Sequence, residues 1–345
     1  MNAKNVRKTT EVKKQLLLCC FLIGELFSIL WLPNLAAAVV AKADTLTILH
    51  ITDTHVCNLT GYHPVFVQRR QQYGDGAEAL KQFFSTIPLA MRADLVVSTG
   101  DNIDFFSSTT ARGNLLDTQI EQYAQLLAFC PVRLFCTLGN HDIQQYQMTS
   151  DSTYLAQKHN AQQARAVWIR NVACFRQGTY YSQSYQVGDV SYRLIFLDNG
   201  YRTQQPSIPF VIDPFQLDWL HFQLQEANND VEILFMHIPL PIEDANEDGN
   251  SFSARPIKLD ASSVASNQFL TLLNEFSSIR LIVTGHGHKN IIEDAIFPAG
   301  HTIRQIETAA FGQNPQNWRL IWLTGKKILI SATGIKTVEY LIPLP

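Results

Sequence analysis

Five short polar motifs, each directly behind a stretch that reads as a β-strand, constrain this chain more than any other feature. Thr45 to Thr52 precedes Asp53-Thr54-His55, and Asp94 to Ser98 precedes Gly100-Asp101-Asn102. Val132 to Leu138 precedes Gly139-Asn140-His141-Asp142. Val231 to Met236 ends at His237, and Arg280 to Thr284 ends at Gly285-His286-Gly287-His288. Short apolar runs rich in β-branched residues form buried strands. Between them lie helical patterns: Leu80, Phe83, Phe84 and Ile87 recur at helical spacing, and Gly113 to Phe129 reads as a second helix. Strands alternating with helices predict an α/β fold with parallel crossovers. In such sheets the loops at the carboxyl ends of the strands converge on one place. Motifs far apart in sequence therefore meet.

What would meet there is a set of metal donors. Asp-x-His alone is usually a turn, Gly-Asp is a turn signal, and a lone His before Pro ends many strands. Together, and in this order, the motifs bring carboxylate, imidazole and amide oxygen, the groups that bind Mn, Fe or Zn. Seven donors, Asp53, His55, Asp101, Asn140, His237, His286 and His288, fill two adjacent sites sharing one bridging carboxylate. Two metal ions roughly 3.5–4 Å apart form a clamp for in-line displacement at phosphorus. Gly287 gives the His286–His288 turn its backbone freedom. His50, His159, His221 and His301 read as ordinary strand, loop or helix residues. His63, Arg69 and Arg70 follow the first motif and are weighed as phosphate contacts, against the bland reading of exposed side chains.

The second half repeats the scheme less regularly. Tyr180–Val187 and Ser191–Leu197 predict a hairpin about Gly188-Asp189. Asp213-Pro214-Phe215-Gln216 predicts a capped helix start, with Gln216 placed for a capping box. Phe269, Leu272, Leu273 and Phe276 mark another helix, and Trp318–Leu323 with Ile328–Ser331 a closing hairpin. The polar segment Glu243 to Ser262 follows His237 and is a candidate substrate loop. Of six cysteines, Cys57, Cys130, Cys136 and Cys174 lie beyond the N-terminal segment. None forms a C-x-x-C pair, which argues against a structural zinc knot. Cys57 is weighed as an extra ligand, but seven donors already fill both sites.

Residues 1–43 stand apart. Lys4, Arg7, Lys8, Lys13 and Lys14 head an apolar stretch from Leu16 to Leu32, followed by small residues up to Ala43. That order predicts a secretory signal. Glu25 interrupts the apolar core, and the stretch up to Val40 is long enough to act as a membrane anchor instead. Both readings place the remainder, 44–345, outside the cytoplasm, secreted or periplasmic. The net charge is -3, and the leader carries six Lys/Arg against two Glu, so the rest is more acidic still. An acidic protein is a poor partner for nucleic acid.

On the patterns D-x-H, G-D-N, G-N-H-D, H and G-H-x-H, the chain from about Thr45 to its end resembles the calcineurin-like metallophosphoesterases. Thr99-Gly100-Asp101-Asn102, Leu197-Asp198-Asn199-Gly200 and Met236-His237-Ile238-Pro239-Leu240-Pro241 resemble the purple-acid-phosphatase-like (class III, Dcr2-type) branch. So does the helix beginning near Gln216. The resemblance implies an α/β fold of two mixed β-sheets packed as a sandwich and flanked by helices. It implies that Asp53, His55 and His288 hold one metal, that Asn140, His237 and His286 hold the other, and that Asp101 bridges. It implies hydrolysis of a phosphorylated small molecule or other phosphoester, with an activated bridging water as nucleophile. His141 is the expected acid or charge stabiliser, and Asp142 the residue that orients it. Monoester hydrolysis is favoured. Phosphodiester hydrolysis on the same site is the near alternative, and a non-catalytic protein-binding module the distant one. The chain departs from true purple acid phosphatases three residues past the bridging aspartate, where Asp104 replaces the tyrosinate ligand. Tyrosinate-to-iron charge transfer is therefore not expected.

Overall fold

The computed structural model describes residues 44–71, 76–148, 154–157, 161–202, 210–227, 230–240 and 255–345. The predicted leader, His159 and most of the polar segment after His237 lie outside these residues.

Two mixed sheets carry the fold. In chain order their strands are β1 (Thr45–Ile51), β2 (Leu95–Thr99), β3 (Arg133–Thr137), β4 (Tyr181–Val187), β5 (Val190–Phe196), β6 (Val231–Phe235), β7 (Arg255–Lys258), β8 (Ile279–Thr284), β9 (Ile291–Ile296), β10 (Thr302–Glu307), β11 (Arg319–Thr324), β12 (Lys327–Ser331) and β13 (Val338–Pro343). The first sheet runs β13-β12-β11-β1-β2-β3 and the second β7-β9-β10-β8-β6-β5-β4. In the first, β1, β2 and β3 are parallel, while the closing hairpin adds β11 antiparallel to β1. In the second, β5, β6, β8 and β10 are parallel neighbours, with antiparallel additions at both flanks.

Period-2 alternation explains the sandwich. On β6, Val231, Ile233 and Phe235 join the core shared with the first sheet, whereas Leu234 packs on the other side. On β5, Tyr192, Leu194 and Phe196 face the shared core and Ile195 the other. The outer cluster also holds Leu220, Leu224, Leu270 and Leu273, from α5 (Pro214–Glu226) and α6 (Gln268–Glu275). From the shared core one continuous cluster extends through the first sheet to Leu80, Phe83 and Phe84 of α2 (Ala77–Met91), Ile120 and Tyr123 of α3 (Gln119–Leu127), and Trp168 of α4 (Ala161–Asn171). This is the expected sandwich with helices outside.

Three local expectations change. The second helix starts at Gln119 rather than Gly113, because Leu115–Leu116 pairs as a short strand with Ser107–Thr109. Asp213 caps α5 as expected, accepting from the Gln216 N–H at 3.1 Å. The Gln216 side chain does not complete a capping box; it pairs with both backbone groups of Asp198 at 2.8 and 2.9 Å. A short helix, α1 (Pro64–Arg70), was not expected. His63 is its N-cap and accepts from the Val65 N–H at 3.3 Å.

Candidate metal centre

The five motifs do come together, at the carboxyl ends of β1, β2, β3, β6 and β8. Backbone bonds zip their loops to one another. Asp53 N–H donates to Gly100 O and His55 N–H to Asp101 O, both at 3.0 Å, and Gly285 N–H donates to His237 O at 3.1 Å.

Two donor groups form. Asp53, His55 and His288 offer ligand atoms within 4.8 Å of one another, and so do Asp101, His237 and His286. In the first, Asp53 Oδ1 lies 3.3 Å from His288 Nε2 and 3.7 Å from His55 Nε2. In the second, Asp101 Oδ2 lies 3.1 Å from His237 Nε2. The groups adjoin, since His237 Nε2 is 4.0 Å from Asp53 Oδ1. These are six of the seven donors expected. The seventh, Asn140, is buried, and its Oδ1 has no hydrogen-bond donor.

The backbone carries the mark of a site under constraint. Among the described residues, six non-glycine residues have positive φ, and five are in the donor set: Asp53 (51°), His55 (44°), Asp101 (47°), His286 (79°) and His288 (57°). Left-handed backbone at a residue with a Cβ costs of order ~1–3 kcal/mol, and it clusters where function over-determines the conformation. Gly100, with φ of 87°, makes the close approach possible: a Cβ there would lie 2.7 Å from Gly139 N and from the His237 ring.

Four donors, Asp53, Asp101, His237 and His288, have one side occupied by protein and another turned inward. Asp53 Oδ2 accepts from Thr52 Oγ1 at 2.8 Å and from the His286 N–H at 3.0 Å, while Oδ1 has no hydrogen-bond donor. Asp101 Oδ1 accepts from the His141 N–H at 2.8 Å, so the oxygen turned toward the imidazoles is Oδ2. His237 Nδ1 sits 2.7 Å from Thr99 O, and Asn199 Oδ1 accepts from the His237 and Ile238 N–H groups at 3.0 Å. His288 Nδ1 lies 3.0 Å from Gln313 Nε2. Fixing the outer nitrogen orients the inner one, as in most imidazole metal sites.

Electrostatics agree with a cation site. Burial opposes the Asp101 carboxylate, but His237 and His141 hold it well below the ordinary carboxylate range. Burial likewise opposes charge on His237, yet Asp101 and Asp53 push it up to about 10. Carboxylates that favour a proton there favour a metal cation in its place. Two buried oxygens without donors, set among imidazoles and carboxylates, fit metal ions: an unpaired buried polar atom is otherwise costly.

His141 stands beside the donors. Its Nδ1 is 2.7 Å from Asp104 O and 3.0 Å from Arg70 Nη2, and its Nε2 faces Asp101 Oδ2 at 3.9 Å. Burial lowers its pKa to about 4. Asp142 does not orient this ring. Its carboxyl accepts from the N–H groups of Ile103 (3.0 Å) and Gly139 (2.7 Å) and from Asn102 Nδ2 (3.0 Å). It therefore ties the Gly139 loop to the Gly100 loop, and the contact to His141 falls to Asp104.

Arg70 is not aimed at open space. It is buried, pairs with the Asp104 carboxylate through Nε (2.8 Å) and Nη2, and reaches Tyr146 OH at 3.0 Å. Asp104 Oδ1 also lies 3.2 Å from His55 Nδ1. A third donor group, His55, Asp104 and His141, results, but the guanidinium already matches the Asp104 charge. Arg69 is exposed, and Cys57 packs with Tyr62, Phe66 and Phe105 in a separate apolar cluster. Sequence reasoning missed the supporting roles of Asp104, Arg70 and Asn199. The signals were present: Asp104 occupies the tyrosinate position, and Asn199 lies in Leu197-Asp198-Asn199-Gly200.

A sequence profile described as calcineurin-like phosphoesterase matches residues 46–290, and the chain belongs to that family. It is thus a metal-dependent phosphoester hydrolase, and its family typically binds a dinuclear metal centre. A search of curated proteins returned no match. Among solved structures, a dimetal phosphatase from Danio rerio shares the fold at 15% identity and a TM-score of 0.56, with 87% of this chain and 99% of that one covered. A purple acid phosphatase from seeds of yellow lupin (Lupinus luteus) aligns at 12% identity and a TM-score of 0.47, over 86% of this chain and 52% of that one.

Proposed function

We propose that the chain hydrolyses phosphate monoesters outside the cytoplasm with two metal ions drawn from Mn, Fe or Zn. The observation that carries this reading is the pair of adjoining donor groups, with the acceptor oxygens Asp53 Oδ1 and Asn140 Oδ1 buried among them without donors. Asp53, His55 and His288 would hold one ion; Asp101, Asn140, His237 and His286 the other. When bound, the ions would neutralise phosphoryl charge and acidify a water nucleophile. The chain's own residues do the rest. Asp104 and Arg70 fix His141 at Nδ1; its Nε2, once protonated beside a bound anionic phosphoryl group, would stabilise charge there or give the leaving alkoxide its proton. Asp142 and Asn102 hold the loops that carry Asp101 and Asn140 in register. The preference for monoesters rests on the resemblance of Leu197–Gly200 and Met236–Pro241 to the class III phosphatases. Residues 1–43 serve as export signal or anchor, and 44–345 as the catalytic domain.

The test is hydrolysis of p-nitrophenyl phosphate against its bis ester, after metal removal and reloading with each ion in turn. The monoester is expected to turn over faster. A faster bis ester makes the enzyme a diesterase, and inert protein under every metal overturns the reading. N-terminal sequencing of the exported protein is expected to begin at Asp44; an intact Met1 indicates an anchor.

A further inference from the structure

The loop 285–290 leaves β8 and returns on β9, and β10 lies between those two strands. The loop therefore arches over the end of β10. The last residue of that strand is Glu307, paired in register with Thr284 on one side and Ile291 on the other. Its side chain is buried at 7% exposure directly under the arch. Its carboxyl lies against Gly287, whose N–H donates to Gly285 O at 3.1 Å, and Oε1 has no hydrogen-bond donor. The carboxyl fills the space above Gly287: a Cβ there would collide with Glu307 Oε1. Nothing in the metal-site reading uses this residue, and a carboxyl with one unpaired oxygen is an expensive filler for a strand end.

We propose that Glu307 is the positioning residue of the His286-Gly287-His288 turn, holding the arch so that one imidazole reaches each donor group. Both histidines have left-handed backbone, at φ of 79° and 57°, and neither is fully buried. Asp53 Oδ2 anchors the turn at the His286 N–H, and the Glu307 carboxyl packs against it at Gly287. Gly287 itself is not left-handed, so the reason for glycine there is the contact with the carboxyl beneath rather than backbone freedom. It rests on the metal-centre reading.

The experiment is calorimetric titration of metal-stripped full-length protein with Mn(II), for wild type, Glu307→Ala, Glu307→Gln and Gly287→Ala, with thermal unfolding of each metal-free protein. Wild type is expected to take two ions; if it takes none, the metal-centre reading fails and the Glu307 inference falls with it. With two ions bound by wild type, Glu307→Ala is expected to weaken binding ~10–100-fold, the usual cost of losing a residue that orients ligands. Glu307→Gln keeps the side chain's shape and its contact with Gly287 and is expected to restore most of the affinity. Gly287→Ala is expected to weaken binding while Glu307 is present and to add nothing in the Glu307→Ala background. Wild-type affinity in Glu307→Ala, even with a lowered melting temperature, makes Glu307 a stability residue only and overturns the inference. Should Glu307→Ala fail to fold, the Gln and Gly287→Ala variants decide: normal binding by Gly287→Ala overturns the inference too.

Discussion

The two ends of the same strands behave differently. At the carboxyl ends of β1, β2 and β8 the backbone turns left-handed at five donor residues, loops touch across motifs, and buried oxygens lack donors. At the amino ends two carboxylates have conventional partners, although both Glu232 oxygens are buried there without donors and Arg92, ahead of β2, is left-handed. Asp94 accepts from the Thr47 N–H at 2.7 Å, and Asp230 pairs with Arg193 at 3.0 Å. One edge of the sandwich is built for folding and the other spends part of that stability on a site. Within the site a second contrast appears. Asp53, His55, Asp101 and His237 are sealed at 0–2% exposure, while His286 and His288 form the more accessible flank.

The largest expected effect comes from the carboxylate proposed to serve both ions. Asp101→Asn is expected to lose metal loading and turnover together, by elemental analysis and steady-state assay; an active, metal-loaded variant would break the assignment. His141→Gln separates chemistry from binding. It is expected to keep its metal content while kcat falls ~10²–10⁴-fold, the range for lost acid–base assistance. A third variant pair sharpens the contrast between the site edge and the rest of the molecule. Gly100 and Gly61 share a φ of 87°, but only Gly100 has neighbours where a Cβ would go. Gly100→Ala is expected to cost more than Gly61→Ala in urea unfolding, by ~1–3 kcal/mol of added crowding; equal costs would mean that backbone strain alone matters.

The smallest effect lies at the opposite edge. Burial raises the Glu232 carboxyl from 4.5 to about 7. A carboxyl whose folded pKa exceeds its unfolded one contributes stability below pH ~4.5 that is lost as pH rises through ~7. Glu232→Gln is therefore expected to melt higher than wild type at pH 8–9 and close to it at pH 4.5, with unchanged metal content. Altered metal binding in that variant would erase the distinction between the two edges.

Much of this was legible in the letters. Strand runs ending at Asp53, Asp101, Asn140, His237 and His286 gave both the α/β class and the meeting point, because parallel topology leaves the loops one common edge. The roles that side chains play through other side chains were not legible. Asp142 follows His141 in sequence, yet a one-residue step on a tight loop sends the two side chains apart, and Asp104 takes the contact through its backbone carbonyl. Arg70 looked like an exposed phosphate ligand because the helix that buries it, α1, has no clear apolar period. Gln216 matched a capping box, but Asp198 offered it both a donor and an acceptor. Glu307 carried no motif at all. Its place beneath the turn follows from β10 lying between β8 and β9, a strand order that no local pattern states.

The central claim is that two adjoining groups of side chains each hold a metal ion. The most direct measurement is anomalous scattering from crystals soaked in Mn(II). The account predicts two peaks roughly 3.5–4 Å apart, one against Asp53, His55 and His288 and the other against Asp101, Asn140, His237 and His286. A single peak, or density confined to the Asp104–Arg70 side of His55, would contradict it.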